Sequence, residues 1–212
     1  MTGLRTPAMF ITLEGGEGAG KSTSRDFIVS LLEDYQVPFI QTREPGGTTI
    51  GEALRGLLLS KKGTAPSVTT ELLLVFAARA QHLHEVIEPA LRDGKWVLCD
   101  RFTDATYAYQ GYGRGFDLRE IEALEALVQR GRHPDLTLLF DIDPQLGMAR
   151  ARQRAELDRF EEEELGFFER VREGYLSRAE GDSRFKIIDA SRSITHVQHA
   201  LRETLLPLLD RT

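Results

Sequence analysis

Eight residues near the amino terminus carry the clearest chemical signal in this sequence. The segment Gly15–Ser22 reads GGEGAGKS and matches the pattern G-x-x-x-x-G-K-(S/T) at every fixed position. Glycines let the backbone curl so that its N–H groups point inward, where they bind phosphate oxygens. In such a loop Lys21 reaches the β- and γ-phosphates, and the Ser22 hydroxyl is a ligand for Mg²⁺. The residues predicted to bind ATP here are Gly15, Gly16, Glu17, Gly18, Ala19, Gly20, Lys21, Ser22 and Thr23.

A guanine-nucleotide switch protein would also contain this loop, but it usually needs an Asn-Lys-x-Asp segment to recognise guanine. The lysines beyond Lys21 are Lys61, Lys62, Lys95 and Lys186. None of them follows an asparagine, so the sequence disfavours a GTPase.

Charged residues follow two further apolar segments. Asp100, which ends the run 96–100, is placed to hold Mg²⁺ through a water molecule, and Arg101 can bind a phosphate with two parallel hydrogen bonds. Arg43 ends the earlier segment, and Arg55 falls in the helical pattern after it. Plainer roles remain open for these residues: a surface ion pair at 100–101, a turn at 45–47 and an exposed arginine on a helix.

Alternating strands and helices must position these side chains. Apolar runs predict strands at about 9–13, 37–42, 96–100, 136–142 and 185–188. Helical spacing predicts helices at about 21–35, 71–91, 117–130, 144–154, 161–180 and 194–210. This alternation is typical of an α/β protein of the P-loop NTPase type, with a five-stranded parallel sheet, helices on both faces and right-handed crossovers. Ligands of such sheets bind at the carboxyl ends of the strands, where the motifs fall.

Composition limits the class of protein. No repeat or linker divides the 212 residues, so we expect a single domain over 1–212. The longest apolar runs, such as 72–78, are far shorter than the ~20 residues of a membrane span. A net charge of −6 disfavours a nucleic-acid partner. The lone Cys99 excludes an internal disulfide, and residues 1–8 do not resemble a signal peptide, so we expect a cytoplasmic location.

Taken together, the motifs resemble the bacterial thymidylate kinase family. The resemblance runs in order from about Phe10 to Leu209 and rests on Gly15–Ser22, Thr42–Gly47 (TREPGG), Ala77–Arg79, Asp100–Arg101, Ala108–Gly111 (AYQG) and Glu156–Arg159 (ELDR). It implies transfer of the γ-phosphoryl group of ATP to dTMP, giving ADP and dTDP, with Mg²⁺ as cofactor. It also implies a homodimer.

The resemblance assigns roles to individual residues. Arg43, Arg55 and Arg101 would hold the phosphate of dTMP. Arg79 would hydrogen-bond the thymine ring, together with Thr106 and Gln110. Glu17 would approach the deoxyribose, and Pro45 belongs to the same dTMP site. The residues expected to act in catalysis are Glu17, Lys21, Arg101, Arg152 and Arg154.

The sequence departs from the family at two positions of the base site. Members usually have a phenylalanine four residues before the Arg79 position, where Val75 stands here, and the nearest ring is that of Phe76. One residue on a helix is a rotation of about 100°, so Phe76 either stacks on the base or packs in the core. Ala105 replaces a serine that is common at its position.

Four arginines without a lysine mark the segment at about 148–160, which the family uses as a mobile lid. Its arginines are Arg150, Arg152, Arg154 and Arg159. Family members have either a basic residue in the P-loop or arginines in the lid, and Gly18 indicates the second type. We expect Arg152, Arg154 or both to act on the transferring phosphoryl group, and Arg150 to pack on adenine.

Two other functions stay open at this point. One is a P-loop kinase for a different nucleoside monophosphate or a deoxynucleoside; dUMP differs from dTMP by one methyl group, which gives only ~10–200-fold discrimination. The other is a non-catalytic ATP-binding regulatory module, which would have no use for the acceptor arginines or the lid. His82 and His84 are expected on a helix surface.

Overall fold

The computed structural model describes residues 7–61, 64–153 and 159–210. Its strands are β1 (Phe10–Glu14), β2 (Phe39–Arg43), β3 (Trp96–Asp100), β4 (Leu136–Asp141) and β5 (Phe185–Asp189). Its helices are α1 (Lys21–Asp34), α2 (Thr49–Leu59), α3 (Val68–His82), α4 (Glu88–Arg92), α5 (Thr103–Thr106), α6 (Leu118–Gln129), α7 (Pro144–Arg152), α8 (Leu165–Ala179) and α9 (Ile194–Leu209). Wide π-type turns, Leu83–Ile87 and Tyr107–Gly113, continue α3 into α4 and extend α5.

The five strands form one parallel sheet in the order β2-β3-β1-β4-β5. The register pairs Leu13 of β1 with Asp100 of β3, and Asp100 in turn with Arg43 of β2. The carboxyl ends of these three neighbouring strands therefore meet at one edge of the sheet. The predicted fold class is confirmed.

Alternating side chains of the strands pack on the two faces of the sheet, as the two-residue period of a strand requires. Ile11 and Leu13 belong to a buried cluster with α1 and α9, whereas Phe10 packs with the π-type turn at 83–87 on the opposite face. On β3, Leu98 and Cys99 divide in the same way. The central strands β1, β3 and β4 are buried nearly throughout, which explains why they read as continuous apolar runs.

Three helical segments differ from the predictions. The predicted helix at 71–91 runs from Val68 to Arg92, with the π-type turn in its middle. The helical segment 103–113 was not predicted, because it is buried nearly all round and shows no amphipathic period. The helix predicted at 161 begins at Leu165.

The first turn of α1 is unlike that of its neighbours. Thr48 and Ser67 cap α2 and α3 with side-chain oxygens that accept from Gly51 N and Thr70 N. The residue before α1 is Gly20, with φ +77°, and it supplies no side-chain cap. The N–H groups of this turn therefore remain available to an anion. Within the described ranges, no helix has the length and apolarity needed to cross a membrane.

Candidate active site

A cavity of about 270 Å³ opens where β1, β2 and β3 end. The P-loop forms one wall, from Glu17 to Ser22, and α3 forms another through Val75 and Arg79. The segment 103–113 closes it with Thr106, Tyr109 and Gln110. The cavity thus brings the P-loop next to the side chains predicted to bind a second nucleotide. Of the predicted P-loop residues, Gly15 and Gly16 border a smaller neighbouring pocket, and Thr23 is exposed and borders neither.

Lys21 is folded back on its own loop. Its Nζ donates to the carbonyl oxygens of Gly15 at 2.9 Å and Gly16 at 3.2 Å. Burial lowers the pKa of Lys21, and the nearby positive charge of Arg101 lowers it further. These two carbonyl oxygens accept the hydrogen bonds that the Lys21 ammonium would donate to phosphate oxygens of a bound nucleotide.

Gly18 has no room for a side chain. Its φ is +68°, and a Cβ there would collide with the backbone carbonyl of Gly147 on α7. Gly147 is equally restricted, since its own Cβ would meet the carbonyl oxygen of Glu17. A basic side chain at position 18 would therefore collide with the backbone of α7.

The carboxylate of Asp100 lies at the end of β3 on the cavity wall. Its Oδ1 is buried and has no hydrogen-bond partner in the described part of the chain. A buried carboxylate oxygen without a donor is costly, and a hydrated cation would satisfy it. Ser22 lines the same cavity, so the residues present fit the predicted Mg²⁺ site.

Arg101 joins the P-loop to the acceptor side of the cavity. Its Nη2 donates to Glu17 Oε1, which also accepts from the Tyr109 hydroxyl at 2.8 Å. The guanidinium lies 4.8 Å from the centre of the Tyr109 ring. Arg101 has φ +67°, a conformation rarely adopted by residues with a side chain and common at functional sites. The predicted residues Glu17 and Arg101 therefore meet.

Behind this pair, Glu14 is fully buried at the end of β1. It accepts from the Phe102 backbone N–H at 2.7 Å and from the Tyr175 hydroxyl at 2.9 Å. Burial, reinforced by the carboxylate of Asp104, raises the pKa of Glu14 to about 8.

Arg79 is 1% exposed and is held by two partners. Its Nε donates to Glu44 Oε2 at 2.7 Å, and its Nη2 donates to Thr106 Oγ1 at 2.9 Å. Its Nη1 is buried and takes no partner from the described residues, although Arg79 lines the cavity. Arg79 thus places at the cavity wall a fixed guanidinium with one nitrogen that donates to no described residue.

Glu44 is fixed from its other side by His82. The imidazole Nδ1 lies 3.0 Å from Glu44 Oε1, and Nε2 lies 2.6 Å from Thr42 Oγ1. His82 is fully buried, so its expected surface location is wrong; His84 is exposed as expected. The helix turns His82 toward the end of β2, where Gly47 leaves space for the ring.

Gln110 lines the cavity and is bound from behind by Glu71. Its Nε2 donates to Glu71 Oε1 at 2.8 Å. The same carboxylate pairs with Arg159 Nη2 at 2.6 Å and Arg114 Nε at 3.4 Å, and its side chain is 1% exposed. Arg159, the last arginine of the predicted lid, therefore contacts the acceptor side of the cavity through Glu71.

The predicted phosphate-binding arginines occupy different positions. Arg55 lines the cavity and donates to the carbonyl oxygen of Pro45, which lines it too. Arg43 is 53% exposed, pairs with Glu52 at 2.9 Å and does not line the cavity. The structure thus brings Arg55 and Arg101 together but leaves Arg43 outside.

The hypothesis that Phe76 stacks on the base is not supported. Phe76 is 2% exposed and packs with Leu72, Tyr107 and Ile121 in a buried cluster, whereas Val75 lines the cavity. The rotation of one helical residue accounts for the exchange. Ala105 also lines the cavity and offers no polar side-chain atom there.

The predicted lid is only partly described. Arg150 donates to the carbonyl oxygens of Ala190 and Ser191 in the loop after β5, and Arg152 is exposed on the last turn of α7. Neither lines the cavity. Arg154 and the segment 156–158 lie outside the described residues, so their predicted roles stay predictions.

Several residues that shape the site were not predicted, namely Glu14, Glu44, Glu71, His82 and Tyr109. A signal for two of them exists in the sequence. Glu71, Val75, Arg79 and His82 are spaced by four, four and three residues, so they form one stripe on α3. Polar residues on a buried stripe must find partners, which marks them as part of a network.

A P-loop at the edge of a parallel sheet, with arginines in an adjoining cavity, defines the class of nucleotide-binding phosphotransferases. Comparison with known proteins narrows this class. The family model described as "Thymidylate kinase" matches residues 13–201. The chain belongs to the thymidylate kinase family.

Individual relatives agree over nearly the whole length. The thymidylate kinase of Pseudomonas syringae pv. syringae is 55% identical over 210 residues, which cover 99% of this chain and 97% of the relative. The thymidylate kinase of Teredinibacter turnerae is 55% identical, and the alignment covers 92% of this chain and 96% of the relative. That of Pseudomonas putida strain F1 is 53% identical, with coverage of 96% and 97%.

Proposed function

We propose that this chain transfers the γ-phosphoryl group of ATP to dTMP and produces ADP and dTDP. ATP would lie on the P-loop, and dTMP would occupy the cavity between α3 and the segment 103–113. Membership of the thymidylate kinase family and the adjacency of the two sites support the proposal.

The Nη1 of Arg79, which has no partner among the described residues, is the observation that carries the choice of acceptor. Thymine has a carbonyl oxygen at position 4, which would accept from this buried donor. Glu44 and Thr106 fix the guanidinium from the opposite side, so it is preorganised for a base rather than for a mobile phosphate. Arg55 and Arg101 line the same cavity and would bind the phosphate of dTMP.

The chemistry needs little beyond alignment and charge. The acceptor phosphate is already anionic near neutral pH, so no strong base is required. Lys21 would leave the carbonyl oxygens of its loop to bind the β- and γ-phosphates, and the backbone N–H groups before α1 would hold their oxygens. Ser22, and Asp100 through water, would hold Mg²⁺, which neutralises the charge that develops on the donor phosphates. Arg101 and Glu17 would position the acceptor next to the donor.

ADP release by the purified protein tests the reaction. The protein with Mg²⁺ and ATP is given dTMP, dUMP, AMP, CMP, GMP or thymidine at equal concentrations. Turnover mainly with dTMP, and more weakly with dUMP, supports the proposal. Faster turnover with a different acceptor would retain a P-loop kinase but refute the role given to Arg79. Binding of ATP without turnover on any acceptor would favour a regulatory module.

We further propose that Arg152, Arg154 or both stabilise the transferring phosphoryl group, since Gly18 leaves no space for a basic P-loop side chain. Each arginine is replaced by alanine, singly and together, and kcat is measured with saturating dTMP. We expect a fall of about 10²-fold or more in at least the double variant. A normal kcat in all three variants would refute this role.

We also propose that the protein is a cytoplasmic homodimer with one domain per chain and that the segment 148–160 closes over the nucleotides. Exposed apolar residues on α2, α3 and α6, namely Leu57, Leu73 and Leu127, support an interface between copies. Light scattering after size exclusion tests the dimer: a mass near 23.8 kDa at micromolar concentration would contradict it.

A further inference from the structure

Glu71 is a buried acid that no step of the proposed reaction uses. It projects from the first turns of α3, and its carboxylate is 1% exposed. Burying a carboxylate costs free energy unless it is paired, and Glu71 is paired on both oxygens. Gln110 and Arg114 lie at Oε1, and Arg159 lies at Oε2.

The contact with Gln110 has only one possible polarity. A carboxylate with two guanidinium groups beside it accepts hydrogen bonds and cannot donate them. The NH₂ group of Gln110 must therefore face Glu71, and its amide oxygen must be directed elsewhere. Among the described residues nothing donates to this oxygen, and Gln110 lines the cavity.

We propose that Glu71 is a positioning residue that sets which pyrimidine the cavity accepts, by fixing the amide oxygen of Gln110 toward the base. The inference rests on the proposed function and deepens it. Arg79 then presents a donor and Gln110 an acceptor. Thymine and uracil match this pair with O4 as acceptor and N3–H as donor. Cytosine has an amino group at position 4 and an unprotonated N3, so both of its contacts are mismatched.

The substitution Glu71→Gln should reverse the orientation of the Gln110 amide. Arg159 lies at 2.6 Å and Arg114 only at 3.4 Å, and a guanidinium binds more strongly than a neutral amide, so Arg159 would retain the carbonyl oxygen of the new glutamine. The NH₂ group of the glutamine would then face Gln110, which must turn its oxygen toward it and its NH₂ group toward the cavity. Cytosine N3 would gain a donor, while thymine N3–H would lose its acceptor.

The test measures kcat/KM for dTMP, dUMP and dCMP in the wild type and in Glu71→Gln. We expect the dCMP/dTMP ratio to rise about tenfold or more, because a site built around buried hydrogen bonds discriminates strongly against mismatched partners. The dUMP/dTMP ratio should stay constant, because uracil and thymine share O4 and N3–H. General damage to the site would lower all three values together and leave both ratios unchanged, which would overturn the inference.

Glu125→Gln is the matched control. Glu125 lies on α6, accepts from Tyr107 Oη at 2.6 Å and from Gln129 Nε2, and does not line the cavity. Like Glu71→Gln, this substitution changes a carboxylate that contacts a glutamine into an amide. Because it lies away from the cavity, it should leave the dCMP/dTMP ratio unaltered. If Glu71 acts through Gln110, adding Glu71→Gln to a Gln110→Leu variant should not change the dCMP/dTMP ratio further.

The wild-type protein provides a test that does not depend on the folding of a variant. The substrate 3-methyl-dTMP keeps O4 but has no N3–H to donate to Gln110. We expect its kcat/KM to be at least about tenfold below that of dTMP. Equal values would overturn the inference, whereas absence of turnover with dTMP itself would refute the proposed function instead.

Discussion

Removing the imidazole of His82 tests whether the base-binding arginine is held by a buried network. His82 Nδ1 lies 3.0 Å from Glu44 Oε1, and Glu44 Oε2 holds Arg79 Nε at 2.7 Å. In His82→Leu, a Glu44 oxygen in the interior loses its donor. The Glu44 carboxylate would then be held less firmly, and Arg79, which it binds, would be less fixed in position. The predicted hydrogen bond from Arg79 to thymine would weaken.

The magnitude follows from the burial of the three groups. A buried acceptor left without its donor costs about 1–3 kcal/mol. For a chain of this size, 1 kcal/mol corresponds to about 2–4 °C in Tm, so a fall of about 2–12 °C is expected. If about 1.4 kcal/mol of the loss reaches bound dTMP, its KM rises about tenfold. The KM for ATP should hardly change, because the P-loop is not part of this network.

Thermal unfolding and steady-state kinetics check both effects, with His84→Leu as the control. His84 is exposed two residues further along the same helical segment, so its replacement should change neither Tm nor the KM for dTMP. Equal Tm and equal dTMP KM in the His82 and His84 variants would refute the reasoning.

Three further perturbations follow from the geometry of the site. Burial raises the pKa of Glu14 from 4.5 to about 8, so the folded state binds a proton that the unfolded state releases, and stability is lost as pH rises through this range. In urea unfolding, the free energy of unfolding of Glu14→Gln should decline less between pH 5 and 8 than that of the wild type. Gly18→Ala should destabilise more than Gly115→Ala, because both have positive φ (+68° and +75°) but only the first meets a backbone carbonyl; equal free energies of unfolding would contradict this. Asp100→Asn should reduce kcat/KM about 10- to 100-fold and raise the Mg²⁺ requirement without lowering Tm; an unchanged Mg²⁺ dependence would remove Asp100 from the metal site.

The strands and the P-loop could be predicted because their signals are local. A parallel strand buried on both faces is a short apolar run, and the phosphate loop is defined by residues adjacent in sequence. Strand β2 begins at Phe39 rather than 37, after Pro38, whose missing N–H suits a position outside the ladder. The sheet order then brings Arg43, Asp100 and the P-loop to one edge.

The partners within the networks behind the cavity could not be predicted, because they are distant in sequence. Arg159 and Glu71 are 88 residues apart, and His82 and Glu44 are 38 apart. Phe76 shows a further limit: near Arg79, a one-residue shift decides whether a ring faces the cavity or the core, and Val75 took the cavity position. The helical segment 103–113 was missed because a segment buried all round has no polar face to reveal its period.

The fate of the γ-phosphate tests the central claim most directly. The protein is given Mg²⁺ and ATP labelled in its γ-phosphate, with and without dTMP, and the products are separated. Our account predicts that the label appears in dTDP when dTMP is present, that little is released as inorganic phosphate, and that Lys21→Ala suppresses the transfer. Label that appears as inorganic phosphate regardless of dTMP, or that remains in ATP, would contradict the account.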